Sequence, residues 1–576
     1  MEWIGVELNG PESSRNDLEL LGAVQAIVGE EHALPGAGLF PEGIDGVVPR
    51  VVAFPAGADE IAALLRYASR HRLAVVPFGG ATQLGLGNPP ARADIALSLS
   101  RLDGIVAYEP ADMTITVQAG ITLEKLQRHL ALHDQWLPFD PPLPGRATIG
   151  GIIATREAGP LRQAFRGVAD RLLGIEVVTA DGKRAKAGGR VVKNVSGYEM
   201  GRLYAGSLGT LAVIVEAAFK VQPRFEAASA LVAVVEDLDC AGRAIQALLD
   251  SDAEPVMLEL LGPIPFGPDA EALRESELID LLEQLSAAGL AATVPAEGDL
   301  SPRAARGPAG PAALLIAGYA GTPKEVTWQL DEAARRLAHL WGAGLIASQR
   351  VPWQLAHKAA LKAHRRDAEA AFDAAASTSN VGGKASHTAA RPADMGAGAE
   401  PLPAGAVGAG PKAVQATASN AADPTVTCRV HLRPSHLTRF LAELFQRDGE
   451  PGALTANAGG TWSNPAGSST IAAAGASSGA AGGSPTFAAH AGCGIVRIHL
   501  PSPPGGDEEL ARRIDLWRQR SAEAGGFLVV ERASPGLKRQ VSVFGPQRPD
   551  FFLHRSIKER MDPYRILNPG RFIGGL

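Results

Sequence analysis

Cysteine is scarce in this chain: three in 576 residues, Cys240, Cys428 and Cys493. None is spaced as CxxC, and three thiols fall short of the four ligands of an ordinary iron–sulfur cluster. A disulfide framework is equally unsupported, and a reducing cytoplasm fits. Aromatic residues are only 5%, while 66 Gly and 42 Pro point to stretches of loose, compositionally biased sequence. Charge of one sign is lacking too: the net charge is −6, which gives no reason to expect a nucleic-acid surface. No run reaches the roughly 18 apolar residues of a membrane span. Met1-Glu2-Trp3-Ile4 lacks the basic start and apolar run of a signal peptide, so membrane contact is expected only through partners. There is no GxGxxG opening a helix and no Gly-Lys-Ser/Thr. His129 and His133 are four apart on a helix but without HExxH, and read as surface; no metal site is expected.

What is present is enough chain for two to four domains. The first 46 residues read as a lead-in with a short helix around Leu18–Val28. Ile61, Leu64, Leu65 and Ala68 lie at helical spacing within Asp59–Leu73. Leu73–Phe78 and Thr114–Ala119 read as strands. Thr122 is placed to cap a helix burying Leu123, Leu126 and Leu130. Leu172–Ala180 is a β-branched strand ending at Asp181-Gly182, a hairpin turn, and Leu211–Val221 is another strand. A second α+β region follows: strands at Leu231–Val235 and Leu314–Ala317, helices at Ala241–Leu249, Glu325–Trp341 and Trp353–His364. Residues 374–425 and 451–489 are Ala, Gly, Ser, Thr and Pro without large apolar residues, and read as disordered insertions or linkers. Ordered pieces return at Thr427–Leu432, Leu437–Phe445, Gly494–Leu500, Glu508–Ala524 and Phe527–Arg532.

Three small-residue turns carry the chemistry. Pro77-Phe78-Gly79-Gly80-Ala81-Thr82-Gln83 follows a strand, and its bare backbone can form a nest for a pyrophosphate. Thr148-Ile149-Gly150-Gly151 lets backbone approach a flat ring or a phosphate. Gly206-Ser207-Leu208-Gly209-Thr210-Leu211 is the third. Each alone reads as an ordinary turn; their order and spacing are the signal.

In that order they resemble the FAD domain of the vanillyl-alcohol oxidase / p-cresol methylhydroxylase (PCMH) group. Gly159-Pro160-Leu161-Arg162, Ala169-Asp170-Arg171-Leu172-Leu173-Gly174, Lys193-Asn194-Val195-Ser196-Gly197-Tyr198 and Ile566-Leu567-Asn568-Pro569-Gly570-Arg571 resemble more closely the FAD-binding E subunit of bacterial glycolate oxidase. The resemblance implies an α+β fold: a PCMH-type two-subdomain FAD-binding domain plus an α+β cap interrupted by long low-complexity insertions. The implied division is a lead-in 1–46, the FAD domain 47–225 and a first cap segment at 226–373. An insertion at 374–425, a cap strand and helix at 426–450 and an insertion at 451–489 follow. The cap resumes over 490–550, and 551–576 returns to the FAD domain. Gly79, Gly80, Ala81, Thr82 and Gln83 would hold the FAD pyrophosphate. Thr148, Gly150, Gly151, Ala154 and Thr155 would line the ribityl and ring side. Gly209, Val213 and Ile214 would offer backbone to the flavin, with Asn568 near the domain interface. The implied activity is oxidation of glycolate to glyoxylate in the cytoplasm or peripheral to the inner membrane. Its implied partners are a catalytic flavoprotein subunit and an iron–sulfur subunit.

The departures qualify this. Covalent-flavin members carry a histidine in the first glycine loop; Ala81-Thr82-Gln83 has none, so FAD is expected to be non-covalent. Catalytic members carry asparagines where Ile152 and Arg156 stand. Their substrate-facing "HAGDGNxH" corresponds here to His490-Ala491-Gly492-Cys493-Gly494-Ile495-Val496-Arg497. The group able to take a hydroxyl proton is thinned out, so the catalytic residue is left unknown and an accessory role is expected. The alternatives are a stand-alone hydroxy-acid or alcohol oxidoreductase, or an FAD-stabilised scaffold. His490 reads as a packing histidine, Cys493 as an inert thiol, and Arg162 and Arg166 as solvated or subunit-contacting surface.

Overall fold

The computed structural model describes residues 11–189, 198–262, 313–340, 345–364, 426–445, 485–501 and 506–576. Lys193 and Asn194, the 374–425 stretch and most of the 451–489 stretch lie outside them.

The first layer is a sheet ordered β1 (Ala33–Pro35), β2 (Val51–Ala53), β4 (Ile95–Ser98), β3 (Val75–Phe78); the last three are parallel. Helix α2 (Ala58–His71) supplies the crossover. It buries Ile61, Leu64, Leu65 and Ala68, starts with Asp59 and Glu60, and ends with Arg70 and His71, matching its dipole at both ends. Residues 11–46 are more than the lead-in read from sequence. Helix α1 (Pro11–Val28) packs Leu20, Val24 and Val28 into the core, and β1 pairs antiparallel with β2. A three-residue strand ending in proline has no period to read.

The second layer is antiparallel: β5 (Ile105–Glu109), β6 (Thr114–Gln118), β10 (Ala212–Lys220), β8 (Leu172–Thr179), β9 (Arg184–Gly188). Asp181-Gly182 makes the β8–β9 hairpin, with Gly182 at φ 76°. Helix α3 (Leu123–Leu130) is capped by Thr122, whose Oγ1 accepts from Lys125 N at 3.3 Å, a contact worth about 1 kcal/mol. A two-residue ladder of β7 (Gln135–Trp136) with β11 (Gln222–Pro223) closes the exit from this layer. Both layers share one core, in which Ile95 and Leu97 join Val117, Val177 and Val215.

The cap is an eight-stranded antiparallel sheet. Its order is β15 (Leu345–Pro352), β12 (Ala227–Val235), β14 (Ala313–Gly321), β13 (Met257–Gly262), β17 (Thr486–His490), β18 (Ile495–Leu500), β16 (Val426–His431), β19 (Phe527–Arg532). β17 occupies residues that the sequence reading placed in the second biased stretch. One face is covered by the amphipathic helices α6 (Leu238–Leu249), α7 (Pro323–Ala338), α9 (Leu437–Phe445) and α10 (Gly506–Glu523). On the other face, α8 (Trp353–Ala363) packs Ala356, Ala359 and Ala360 against Val232 and Ile316. Toward β16 and β18 that inner face turns polar.

The C-terminal segment returns to the first layer. After α11 (Phe551–Met561), Val75 N donates to Ile566 O (2.7 Å) and Asn568 N to Val75 O (2.9 Å), adding an edge beside β3. Buried Lys558 fixes the turn: its Nζ reaches Asp562 Oδ2 (2.6 Å), Thr210 O (2.7 Å) and Leu567 O (2.9 Å).

Candidate functional site

Three turns and the C-terminal return converge on one cleft of about 760 Å³, some of it open to solvent. Every cofactor-site residue named from sequence lines it. Gly79–Gln83 follow β3. Thr148 caps α4 (Ile149–Thr155), which carries Gly150, Gly151, Ala154 and Thr155. Gly209, Val213 and Ile214 lie at the entry to β10.

The glycines are there because neighbouring segments come too close for a Cβ. A Cβ on Gly79 would sit 2.0 Å from Thr148 Oγ1, and one on Gly80 1.8 Å from Arg146 O. One on Gly150 would sit 2.9 Å from Ala119 Cβ, and one on Gly209 3.0 Å from Pro77 Cγ. Ala81 holds φ 58°, a left-handed turn residue, which lets the loop double back. β10 is laddered to β6 only from Glu216 onward, so Ala212–Ile214 keep that edge unpaired where they line the cleft.

FAD needs a tight backbone cradle, a positive group for its pyrophosphate and polar partners for its ring edges. This cleft offers each. Two buried polar atoms on lining residues have no protein partner: Arg571 Nη1 and Asn568 Oδ1. Their other atoms are spent on positioning. Arg571 Nη2 donates to Leu86 O (2.7 Å) and to Leu84 O, and Asn568 Nδ2 donates to Leu208 O (2.6 Å). Sequence reading named Asn568 only as lying near the interface and gave Arg571 no role. The Asn-Pro-Gly-Arg wording was visible, but not that it threads beside β3.

A second polar site lies on the inner face of the cap sheet. Glu259 pairs in register with His490, and Arg429 with Arg497; Ala488 links the two pairs on the same face. Glu259 Oε1 lies 2.8 Å from His490 Nδ1, and its Oε2 lies 2.7 Å from His364 Nε2; the two imidazoles stack at 4.1 Å. Arg497 binds Glu157 Oε1 (2.7 Å) just past α4 and Glu531 Oε2 (2.8 Å) on β19, and Arg429 also holds Glu531 (2.7 Å). Gln83 Nε2 donates to Glu157 Oε2 at 3.0 Å, so the chain of contacts runs from the cleft into the cap. Arg162, at the start of α5 (Arg162–Phe165), turns toward this group rather than to solvent, while Arg166 is exposed. Asp140 binds His357 Nε2 (2.8 Å) alongside.

His490, read from sequence as a loop or packing histidine, lies buried at the end of β17, held by Glu259 and stacked on His364. Lone charged residues inside the apolar strands Met257–Gly262 and Ile495–Leu500 were the available signal, since charged side chains are rarely fully buried unless paired. Burial pushes the Glu259 carboxyl well above its ordinary value, and Asp140 adds to this. Burial, then Arg497 and Arg162, push His490 well below its ordinary value. Burial thus works against charge on Glu259, His364 and His490 alike. Their ligand atoms lie within 4.8 Å of one another, a group the sequence reading missed when it expected no metal ligands. The three neighbouring guanidinium groups oppose a cation there. The Cys493 thiol is pushed up to about 11 by burial and by Glu259, which leaves it protonated and unreactive at neutral pH. His129 and His133 pack on the Tyr108 ring.

Glu531 gives a test. Burial works against its charge, but Arg429 and Arg497 outweigh it and bring it from 4.5 to about 2. A depressed folded value means the stabilisation is present above about pH 4.5 and lost as pH falls toward 2. Glu531→Gln is expected to remove on the order of 3 kcal/mol at pH 7 and to flatten the stability profile between pH 4.5 and 2. Urea melts across that range check both.

Residues 49–188 match a family model described as an FAD binding domain. The chain is 34% identical over 215 residues to the glycolate oxidase subunit GlcD of Bacillus subtilis, covering 37% of this chain and 46% of that one. It is 38% identical over 154 residues to the glycolate oxidase subunit GlcE of Escherichia coli, covering 27% and 43%. It is 37% identical over 175 residues to a D-2-hydroxyglutarate dehydrogenase of Xanthomonas citri, covering 30% and 37%. The matched stretch is less than half of each relative. Among solved structures, an alkyldihydroxyacetonephosphate synthase matches 91% of this chain and 76% of its own, with TM-score 0.54 and 15% identity, a likeness of fold. The chain thus carries a PCMH-type FAD-binding domain in an α+β fold, with FAD as its cofactor. No helix among the described residues is long and apolar enough to cross a membrane.

Proposed function

We propose that this chain is the FAD-binding accessory subunit of a complex that oxidises a small 2-hydroxy acid, with glycolate to glyoxylate as the reaction. It would work in the cytoplasm or peripheral to the inner membrane, beside a catalytic flavoprotein subunit and an iron–sulfur subunit. The cleft is the observation that carries the reading. Its glycine turns, the open edge of β10 and the partnerless atoms of Asn568 and Arg571 meet in one place. Bound FAD supplies a two-electron acceptor for an alcohol carbon. Gly79–Gln83 and Arg571 would hold its pyrophosphate, and the start of α4 and the 208–214 segment would hold the rest of it. The likeness to glycolate oxidase subunits supports the substrate class. The accessory role is supported by Arg497, which stands where catalytic members place a histidine and is held by two glutamates.

One observation favours turnover by this chain alone. His490 is held at Nδ1 by Glu259, while its buried Nε2 has no protein partner. A histidine oriented by a neighbouring carboxyl group, with its other nitrogen open, has the geometry of a general base, though burial beside Arg497 and Arg162 lowers its basicity. In that reading the hydroxyl proton passes to His490 Nε2.

The test is the anaerobic visible spectrum of the purified chain before and after glycolate. Flavin peaks that persist, and bleach only when the partner subunits are added, are the expected result. Bleaching with the single chain would overturn the accessory role and move the reading to His490.

A further inference from the structure

We infer that the polar end of the cap's inner face is a binding site for one small monocarboxylate, held by Arg162, Arg429 and Arg497. The site deepens the proposed function. It rests on that reading for which acid is bound, not for the presence of an anion.

Four buried nitrogen atoms there have no protein partner: three guanidinium donors, Nε of Arg162, Nε of Arg429 and Nη1 of Arg497, and Nε2 of His490, a donor or an acceptor according to its tautomer. Arg497 is only 5% exposed and His490 3%. An orphaned buried donor costs about 1–3 kcal/mol, and native proteins rarely leave several in one place without a ligand or water. These sit together by construction. Arg429 and Arg497 are register partners, and His490 projects from the next strand on the same face. Arg162 approaches from α5, where Gln163 Oε1 lies 3.5 Å from Cys493 Sγ.

The charge balance sets the ligand. Glu157 and Glu531 answer two of the three guanidinium groups. Glu259 is paired with its two histidines, and Asp140 with His357. Arg162 is the guanidinium left without a carboxylate in salt-bridge contact among the described residues. A phosphate would bring about −1.5 to −2 at neutral pH and overshoot. A carboxylate brings one charge, and its two oxygens suit the planar forks of arginine. The Arg429 side chain is 18% exposed, which leaves an approach from that end.

The probe is 2-hydroxyisobutyrate, which has no hydrogen on its carbinol carbon and cannot be oxidised, so binding is separated from turnover. Calorimetry on the full FAD-loaded chain is expected to show one equivalent bound. The neutral amide of the same acid should bind at least tenfold more weakly. Arg162→Gln should weaken the acid at least tenfold and Arg162→Lys less, with flavin content unchanged. Equal binding of acid and amide, no binding of the acid, or an Arg162→Gln variant of undiminished affinity would overturn the site. The first of these needs no variant and would leave only ordered water at the four nitrogens. Tight binding of the probe in a chain that glycolate does not bleach would keep the site while leaving catalysis to a partner.

Discussion

Arg497→Met is expected to destabilise the protein by about 3–5 kcal/mol, the cost of breaking a buried ion pair from one side. The guanidinium bridges Glu157 of the FAD domain to Glu531 of the cap, and both of its partner side chains are largely buried. Burial alone would lower its pKa, yet the two glutamates hold it above the ordinary arginine value. Removing it strands Glu157, leaves Glu531 to Arg429 alone and cuts a tie between domains. The midpoint of urea unfolding at pH 7 should fall with little change in slope. Adding Glu157→Gln and Glu531→Gln to the variant should recover some of the loss, because neutral partners no longer need the cation. A loss below about 1 kcal/mol would mean that water reaches the glutamates and solvates them.

Gly80→Ala should weaken FAD binding at least 100-fold, about 2.7 kcal/mol. Its backbone φ is not left-handed, so conformational strain is not the reason. The reason is space: the new Cβ would lie 1.8 Å from Arg146 O and 2.7 Å from its carbonyl carbon. Those are backbone atoms and cannot swing aside. The 79–83 turn must therefore lift away from the 146–148 segment, and the cleft loses the contact between its first two walls. Flavin fluorescence released on dilution measures the affinity. Unchanged FAD retention would show that the turn has slack and that the cleft is not built on this contact. Ala81→Gly is the matching control, because glycine accepts φ 58° without strain and should keep FAD in place.

What could be read in advance followed from local chemistry. The Thr122 cap, the buried stripe of the 58–71 helix and the Asp181-Gly182 hairpin each depend on neighbours in sequence, and each stands as read. The cofactor turns were legible for the same reason, since a glycine needed for close approach cannot be replaced by anything with a Cβ. Strands such as Ala33–Pro35, Ile95–Ser98 and Thr486–His490 were missed. They are short, and they exist because a distant partner completes them. The polar cap site was illegible for a deeper reason. Glu259, His364, Arg429 and Arg497 come from four separate stretches, and only the order of eight strands brings them to one face. Arg162 was read as surface because a four-residue helix gives no period from which to tell its inner side.

The cleft's walls also differ in when they are made. The 79–83 turn and the start of α4 emerge early in synthesis, whereas Asn568 and Arg571 follow only after the whole cap. Lys558, Asp562 and the edge beside β3 then seat them. A ribosome midway through the message holds a cradle without its last wall. A cleft with all its walls therefore requires the 566–571 segment as well as the glycine turns made some 360 to 490 residues before it.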